Sequence, residues 1–295
     1  MADYKFIKTL PNQDDFSIFN ELPKSLYEEG HQRFISGNEP VDQFLEGCYV
    51  LLKNEIPVGR FAFYENPALN YQGEKSCSIG SYECENNQET SGKLLSKAKE
   101  IAFSKGYSWI IGPMEGSTWN NYRFSTNHDS APSFMEPYHH LYYNNQFVYH
   151  GFDIIHNYGS NLISPEGFDK DKLMKIEDSN EQKGFSYRKM NLEDYENELK
   201  KIAKLSFSGF QSNFLFTPIT EDGFLNKYLP LKPYLDPNLI WMIEDQNKEL
   251  HAYIFGVTDY FDPNNETLII KTIVRKKESE LTGLGFYSVL KINQI

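Results

Sequence analysis

The sequence predicts an α/β (α+β) protein in which two mixed β-sheets, each flanked by helices, follow one another along the chain, the second of them incomplete. Three observations carry that expectation. Runs of β-branched and aromatic residues form a hairpin twice, once around Asn54-Glu55 and once around Asp245 to Lys248. After each hairpin come a Pro/Asn loop, a further strand, a polar turn and a glycine that opens a helix. The spacing repeats as well: 38 residues separate Asn54 from Gly92, and 36 separate Asn247 from Gly283. Self-similarity of this kind indicates an internal duplication.

Residues 1–45 mix polar turns with short aromatic runs such as Phe16-Ser-Ile-Phe19, and suit one or two helices. Cys48 to Lys53 and Ile56 to Tyr64 read as the strands of the first hairpin. Pro67, Asn70 and Gly73 break the loop that follows, and Ser76 to Tyr82 reads as the next strand. Leu94, Leu95, Ala98, Ile101 and Ala102 recur at helical spacing, with Lys105-Gly106 as the stop. Ser108 to Ile111 is then a short buried strand running into Gly112-Pro113. The first copy, 1–163, continues more than 50 residues past its helix, through two further strands.

Residues 164–184 are polar and turn-rich, and read as a linker. The second copy, 185–295, opens with a helix marked by Leu199, Ile202, Ala203 and Leu205. The strands Leu239 to Glu244 and Leu250 to Val257 follow, then the loop Asp259 to Glu266, the strand Leu268 to Arg275 and a helix from Gly283. Ile295 falls inside that helix, so the second copy is expected to be truncated there and its sheet to carry an unpaired edge.

Composition narrows the function classes. A chain of 295 residues, 40% hydrophobic and 15% aromatic, has material for two globular cores. A formal charge of −12 argues against nucleic acid as a partner, because phosphate neutralisation needs a cationic face. Cys48, Cys77 and Cys84 show neither metal-ligand nor disulfide spacing. No signal peptide is evident, and no apolar run nears the ~20 residues that span a bilayer; a cytoplasmic protein without a membrane partner is expected. His139-His140 invites a metal reading, but adjacent residues point apart and no acidic partner sits at i+3 or i+4, so no metal is expected. Hydrolase, nucleotidase and dithiol motifs are absent from the sequence.

The most informative stretch is Leu268 to Arg275 leading through a polar turn into Gly283-Leu284-Gly285. A strand feeding a glycine turn at a helix N-terminus is suited to phosphate, because backbone N–H groups can approach closely and the helix dipole favours negative charge. Lys271, Arg275, Lys276 and Lys277 either draw such an anion or form a solvated turn balanced by Glu278 and Glu280, with a field screened over ~8–10 Å.

Glu280-Leu-Thr-Gly283-Leu-Gly285 resembles the acyl-CoA motif Gln/Arg-x-x-Gly-x-Gly/Ala of the GNAT superfamily of N-acetyltransferases. It keeps both glycines and has Glu at the first position. Glu89-Thr-Ser-Gly92-Lys-Leu94 is the degenerate counterpart in the first copy. Gly112-Pro-Met-Glu-Gly-Ser-Thr-Trp-Asn-Asn-Tyr-Arg-Phe124 and Glu136-Pro-Tyr…Tyr142-Tyr143…Gly151-Phe152 resemble segments of bacterial tandem proteins of this type.

The resemblance implies acyl transfer from acetyl-CoA, or another acyl-CoA, to an amine of a small molecule or peptide; the alternative is an inactive binding or scaffold protein that keeps the fold. It implies that Ile273, Val274, Arg275, Leu281, Thr282, Gly283, Leu284, Gly285 and Phe286 hold the co-substrate, with backbone donors facing the thioester carbonyl. A tyrosine on the helix after the fifth strand protonates the departing thiolate in the family, a role that would fall to Tyr143 or Tyr142; both otherwise read as packed aromatics. Trp119, Asn120, Tyr122 and Arg123 either line an acceptor pocket or stitch the two copies together. Glu136 reads as a base or as a surface carboxylate.

Overall fold

The computed structural model describes residues 2–34, 40–128, 132–164, 169–264, 266–285 and 287. The chain divides into two units, 1–158 with 214–217, and 159–213 with 218–295.

In the first unit, β1 (Tyr4–Thr9), β2 (Leu45–Lys53), β3 (Ile56–Tyr64) and β5 (Glu74–Cys84) lie side by side and antiparallel. The two-residue β4 (Asn70–Tyr71) folds back on the start of β5, and β6 (Trp109–Ile111) pairs with β5 in parallel. Period-2 alternation gives the sheet two apolar faces. Phe61, Phe63, Ile79 and Leu51 pack under α2 (Gln88–Ser104), while Val50, Ala62 and Tyr64 pack under α1 (Phe16–Leu26) through Phe16 and Phe19. α2 begins where Asn87 caps it, its Oδ1 accepting the N–H groups of Glu89 and Thr90.

The sequence expectation for 1–45 lacked β1, whose Tyr4 to Thr9 register against Lys53 to Cys48 is set by β2 rather than by strong alternation of its own. β6 is shorter and more open than expected, with Trp109 40% exposed. It is also the one strand formed after α2 among the described residues of this unit; 152–158 form neither strand nor helix.

β5 carries a bulge. Arg60 faces Glu83 and Ala62 faces Gly80, so Ser81 and Tyr82 together oppose Phe61, and Ser81 adopts φ 49°. β6 pairs only with Ser76 to Ser78, and the Met114 N–H extends the contact to Ile79 O. Beyond that point β5 and the chain after β6 separate. The gap between them is where α3 (Tyr142–Tyr149) sits.

The second unit holds a four-stranded antiparallel sheet in the order β10 (Leu268–Arg275), β9 (Leu250–Thr258), β8 (Ile240–Glu244), β7 (Ser186–Lys189). α5 (Tyr195–Phe210) and α6 (Glu221–Tyr228) precede β8. The segment 164–184, expected as a linker, contains α4 (Lys170–Gln182), capped by Asp169. Leu173, Ile176 and Asn180 recur at i, i+3 and i+7, so this largely polar helix has one narrow face turned inward.

β10 repeats the bulge of β5: Ile270 faces Gly256 and Thr272 faces Phe255, leaving Lys271 as the extra residue. Arg188 on β7 is fixed between two nearly buried carboxylates, Glu244 and Glu198, with N···O distances of 2.6–2.9 Å to both. Among the described residues no helix is long and apolar enough to cross a membrane.

Candidate functional site

The glycine turn of the second unit is built from the end of β10 and held by α4. Val274 is buried and touches Gly209 of α5 so closely that a Cβ there would lie 2.5 Å from Val274 Cγ1. Ile273, its neighbour, is 39% exposed and faces the other way. The Arg275 guanidinium donates to Leu281 O at 2.9 Å and Ser279 O at 3.4 Å, folding the turn back onto the strand end. Asn180 grips Thr282 at both backbone groups: its Oδ1 accepts the Thr282 N–H at 3.2 Å and its Nδ2 donates to Thr282 O at 3.1 Å.

Gly283 has φ +70°, and a Cβ there would meet Ile176 Cδ1 at 2.9 Å. Only glycine satisfies both the backbone conformation and the close approach of α4. Helix begins at Leu284, which packs with Leu281 and Tyr287 into the core of this unit.

Of the residues expected to hold the co-substrate, Arg275, Leu281, Thr282 and Gly283 thus meet in one braced turn. Thr282, Gly283 and Gly285 lie at the surface, whereas Val274, Leu281 and Leu284 point into the core and can offer only backbone. Space around Gly285 is open. Phe286 lies outside the described residues. The basic cluster is largely engaged within the protein: Arg275 with carbonyls, and Lys276 with Glu249 at 2.9 Å. Lys183, which the sequence reading passed over, reaches the same turn and donates to Glu280 O at 3.1 Å. With Asn180 and Ile176, it was hidden by the expectation of a linker at 164–184.

The corresponding place in the first unit is filled by the protein itself. On the edge of β5 that β6 leaves uncovered, the Cys84 N–H donates to Tyr143 Oη at 3.2 Å. Tyr142 donates to Cys84 O at 2.8 Å, and Gln146 Nε2 donates to Glu85 O at 2.9 Å. These three side chains, all from α3, satisfy backbone groups that a bound extended ligand would need. Tyr82, Tyr143, Phe147 and Phe124 interlock behind them as edge-on ring pairs in the core.

The start of α2, where the sequence has the degenerate counterpart of the glycine motif, is closed too. Asn87 takes the first helical N–H groups, Glu85 accepts from Thr90 Oγ1, and the His150 ring lies within 3.1 Å of Ser91 Oγ and Gln88 O. A Cβ at Gly92 would lie 2.8 Å from His150 Cε1. An anion at this helix start would also meet Glu85 and Glu89.

Tyr143 is fully buried, its hydroxyl donating to Glu83 Oε2 at 2.7 Å. Burial, reinforced by the Glu83 carboxylate, pushes the Tyr143 hydroxyl well above the usual tyrosine range. Burial likewise raises the Glu83 carboxyl, with Arg60, Tyr143 and Tyr27 acting in the opposite sense. Glu83 and Arg60 were not singled out from the sequence. Each reads as a surface charge until the bulged register sets them opposite one another on the face that α1 covers.

The loop after β6 is tied down rather than open. Trp119 Nε1 donates to Thr217 O at 2.9 Å, Asn120 Nδ2 donates to Glu115 O at 2.8 Å, and Arg123 pairs with Glu136 at 2.5 Å while lying over the Tyr122 and Tyr158 rings. His139 accepts the Ser125 N–H through Nε2 and so donates through Nδ1 to His140 O. Burial drives its pKa down to about 4, and the imidazole stays neutral.

No protein-family model matches the sequence, and no curated protein matches it. Solved structures do. A GCN5-related glucosamine N-acetyltransferase region in a fungal multi-domain GH3 β-N-acetylglucosaminidase aligns over 100% of this chain at 12% identity and a TM-score of 0.51. The chain spans 34% of the length of that protein. A tandem GNAT protein from the clavulanic acid biosynthesis pathway aligns over 99% of this chain and 84% of its own, at 10% identity and a TM-score of 0.46. A GCN5-related N-acetyltransferase from Sphaerobacter thermophilus aligns over 97% and 80%, at 9% identity and 0.44. The fold is therefore GNAT-like, two sheets flanked by helices as the sequence predicts; the sheet of the first unit is mixed, while that of the second is antiparallel among the described residues rather than mixed as expected.

Proposed function

We propose that the protein is an acyl-CoA-dependent N-acyltransferase. It uses acetyl-CoA or a related acyl-CoA as co-substrate and an amine of a small molecule or peptide as acceptor, with the co-substrate held by the second unit. The observation that carries this reading is the braced turn Arg275 to Gly285. There a bulged strand runs into a glycine of positive φ at a helix start, and α4 fixes the backbone that would face a pyrophosphate. The strand end, Ile273 to Arg275, would offer backbone N–H groups to the thioester carbonyl as it gains negative charge, and holding amine and thioester together would supply much of the remaining acceleration.

In this reading the copy at 185–295 binds the acyl-CoA and the first copy, 1–163, has a structural part. Its β5 edge and helix start are occupied by Tyr142, Tyr143, Gln146, Asn87 and His150, and the hydroxyl and carboxyl best suited to acid and base work, Tyr143 and Glu83, bind each other. Tyr143 is then a packing residue rather than a proton donor to substrate. Calorimetric titration with acetyl-CoA, followed by a thiol-release assay over a panel of amines, tests the proposal. Saturable binding with amine-dependent thiol release is expected. No binding at about 0.5 mM ligand, a concentration that detects Kd values weaker than those of ordinary substrates, overturns it; binding without release with any amine leaves a binding protein of the same fold.

A further inference from the structure

We infer that Asp245, Glu249 and His251 form a binding site for a divalent transition-metal ion at the β8–β9 hairpin of the second unit. The three residues converge from a single turn and the strand that leaves it, and the ligand atoms they offer all lie within 4.8 Å of one another. This inference does not depend on the acyl-transfer reading.

Each group is held so that one atom remains for an ion. Asp245 Oδ1 accepts the N–H groups of Asn247 and Glu249, both at 2.9 Å, and Asn247 Nδ2 lies 3.4 Å from Oδ2. That arrangement fixes the carboxylate with Oδ2 3.5 Å from His251 Nε2. Glu249 uses Oε1 for Lys276 at 2.9 Å and sets Oε2 3.9 Å from the same nitrogen.

His251 is oriented from behind: Nδ1 lies 3.2 Å from Ser279 Oγ, the ring edge meets Phe185, and its backbone carbonyl accepts the Lys276 N–H. With Nδ1–H donating to the serine, Nε2 presents a lone pair, the tautomer required for ligation. That nitrogen is out of reach of solvent and has no hydrogen-bond partner. A buried imidazole nitrogen thus faces two carboxylate oxygens, at 3.5 and 3.9 Å, with a hydrogen bond to neither.

Geometry permits closure around an ion. Bonds of ~2.0–2.2 Å to a tetrahedral ion place neighbouring ligand atoms ~3.4 Å apart. The carboxylate oxygens need to move by only a fraction of the present separations, through side-chain rotation with the turn unchanged. One imidazole nitrogen with two carboxylate oxygens suits Zn2+, Co2+ or Mn2+, and leaves at least one position for water.

The test uses tag-free, full-length protein stripped with chelator. Co2+ is titrated by visible absorbance and Zn2+ by calorimetry, on the native chain and on His251→Gln, Asp245→Asn and a distant control, His156→Gln. The expected result is one ion per chain, weakened at least about tenfold by either site substitution and unchanged in the control, with circular dichroism confirming that each variant is folded. Broadening of the His251 imidazole signals by Co2+ in the native protein reads the same site without any substitution. No uptake at millimolar metal, or uptake that is indifferent to His251→Gln with His251 unbroadened, overturns the inference.

Discussion

Replacing Tyr143 with phenylalanine separates a packing role from a catalytic one. The ring would stay in its place against Tyr82 and Phe124. The lost hydroxyl is both the donor to Glu83 Oε2 at 2.7 Å and the acceptor for the Cys84 N–H at 3.2 Å. Leaving one buried polar group without its partner costs about 1–3 kcal/mol, so two such losses destabilise the first unit by about 2–6 kcal/mol. Tyr142→Phe on the same helix removes only one donor to Cys84 O, whose net worth is about 1 kcal/mol. Amide hydrogen exchange read on peptides from β5 and α3 gives the opening free energy of this unit separately from the second. The reasoning predicts a much larger loss of protection for Tyr143→Phe than for Tyr142→Phe, with acetyl-CoA affinity unchanged. Unaltered protection together with a tenfold or greater fall in acyl transfer would refute it and make Tyr143 a catalytic acid.

Substitutions at three further positions probe the frames of the two units. Arg188→Ala leaves Glu198 and Glu244, whose side chains are 5% and 2% exposed, with Lys201 as their remaining ion-pair partner, and is expected to destabilise the second unit by up to about 3–5 kcal/mol in urea unfolding. Arg188 and Lys201 hold Glu244 down to about 2, below its unfolded value, so the stability this carboxylate contributes is present above about pH 4.5 and is lost as pH falls toward 2. That acid limb, about 3 kcal/mol at most, should flatten in Arg188→Ala. Asn87→Ala should cost the first unit about 1 kcal/mol by uncapping α2, while Asn87→Asp, which retains an acceptor, should not. Gly283→Ala must adopt φ near +70° and displace Ile176; thermal unfolding should show at least about 1 kcal/mol lost, and calorimetry should show weaker acetyl-CoA binding.

The hairpins, the helix through Leu94 to Ala102 and the glycine turn were legible in the sequence because each rests on local chemistry: alternation, helical spacing, or a residue with unusual backbone freedom. Features that depend on two distant segments were not. The face of α4 is three residues wide in a helix otherwise lysine-, aspartate- and glutamate-rich, so composition spoke for a linker although Ile176 and Asn180 brace Thr282 and Gly283. Glu83 and Arg60 become partners only through a bulge that no local pattern announces. Filling of the first unit's cleft was also out of reach. Tyr142, Tyr143 and Gln146 are ordinary helix residues until β5 and β6 separate and leave Cys84 and Glu85 backbone groups in need of partners.

The most direct measurement of the central claim is amide hydrogen exchange on the whole chain with and without saturating acetyl-CoA. The account predicts slowed exchange across Lys271 to Gly285, with no change from Cys84 to Leu95. Protection that appears at Cys84 to Leu95 and leaves Lys271 to Gly285 untouched would contradict it, and would place the acyl-CoA in the unit whose cleft the tyrosines of α3 now fill.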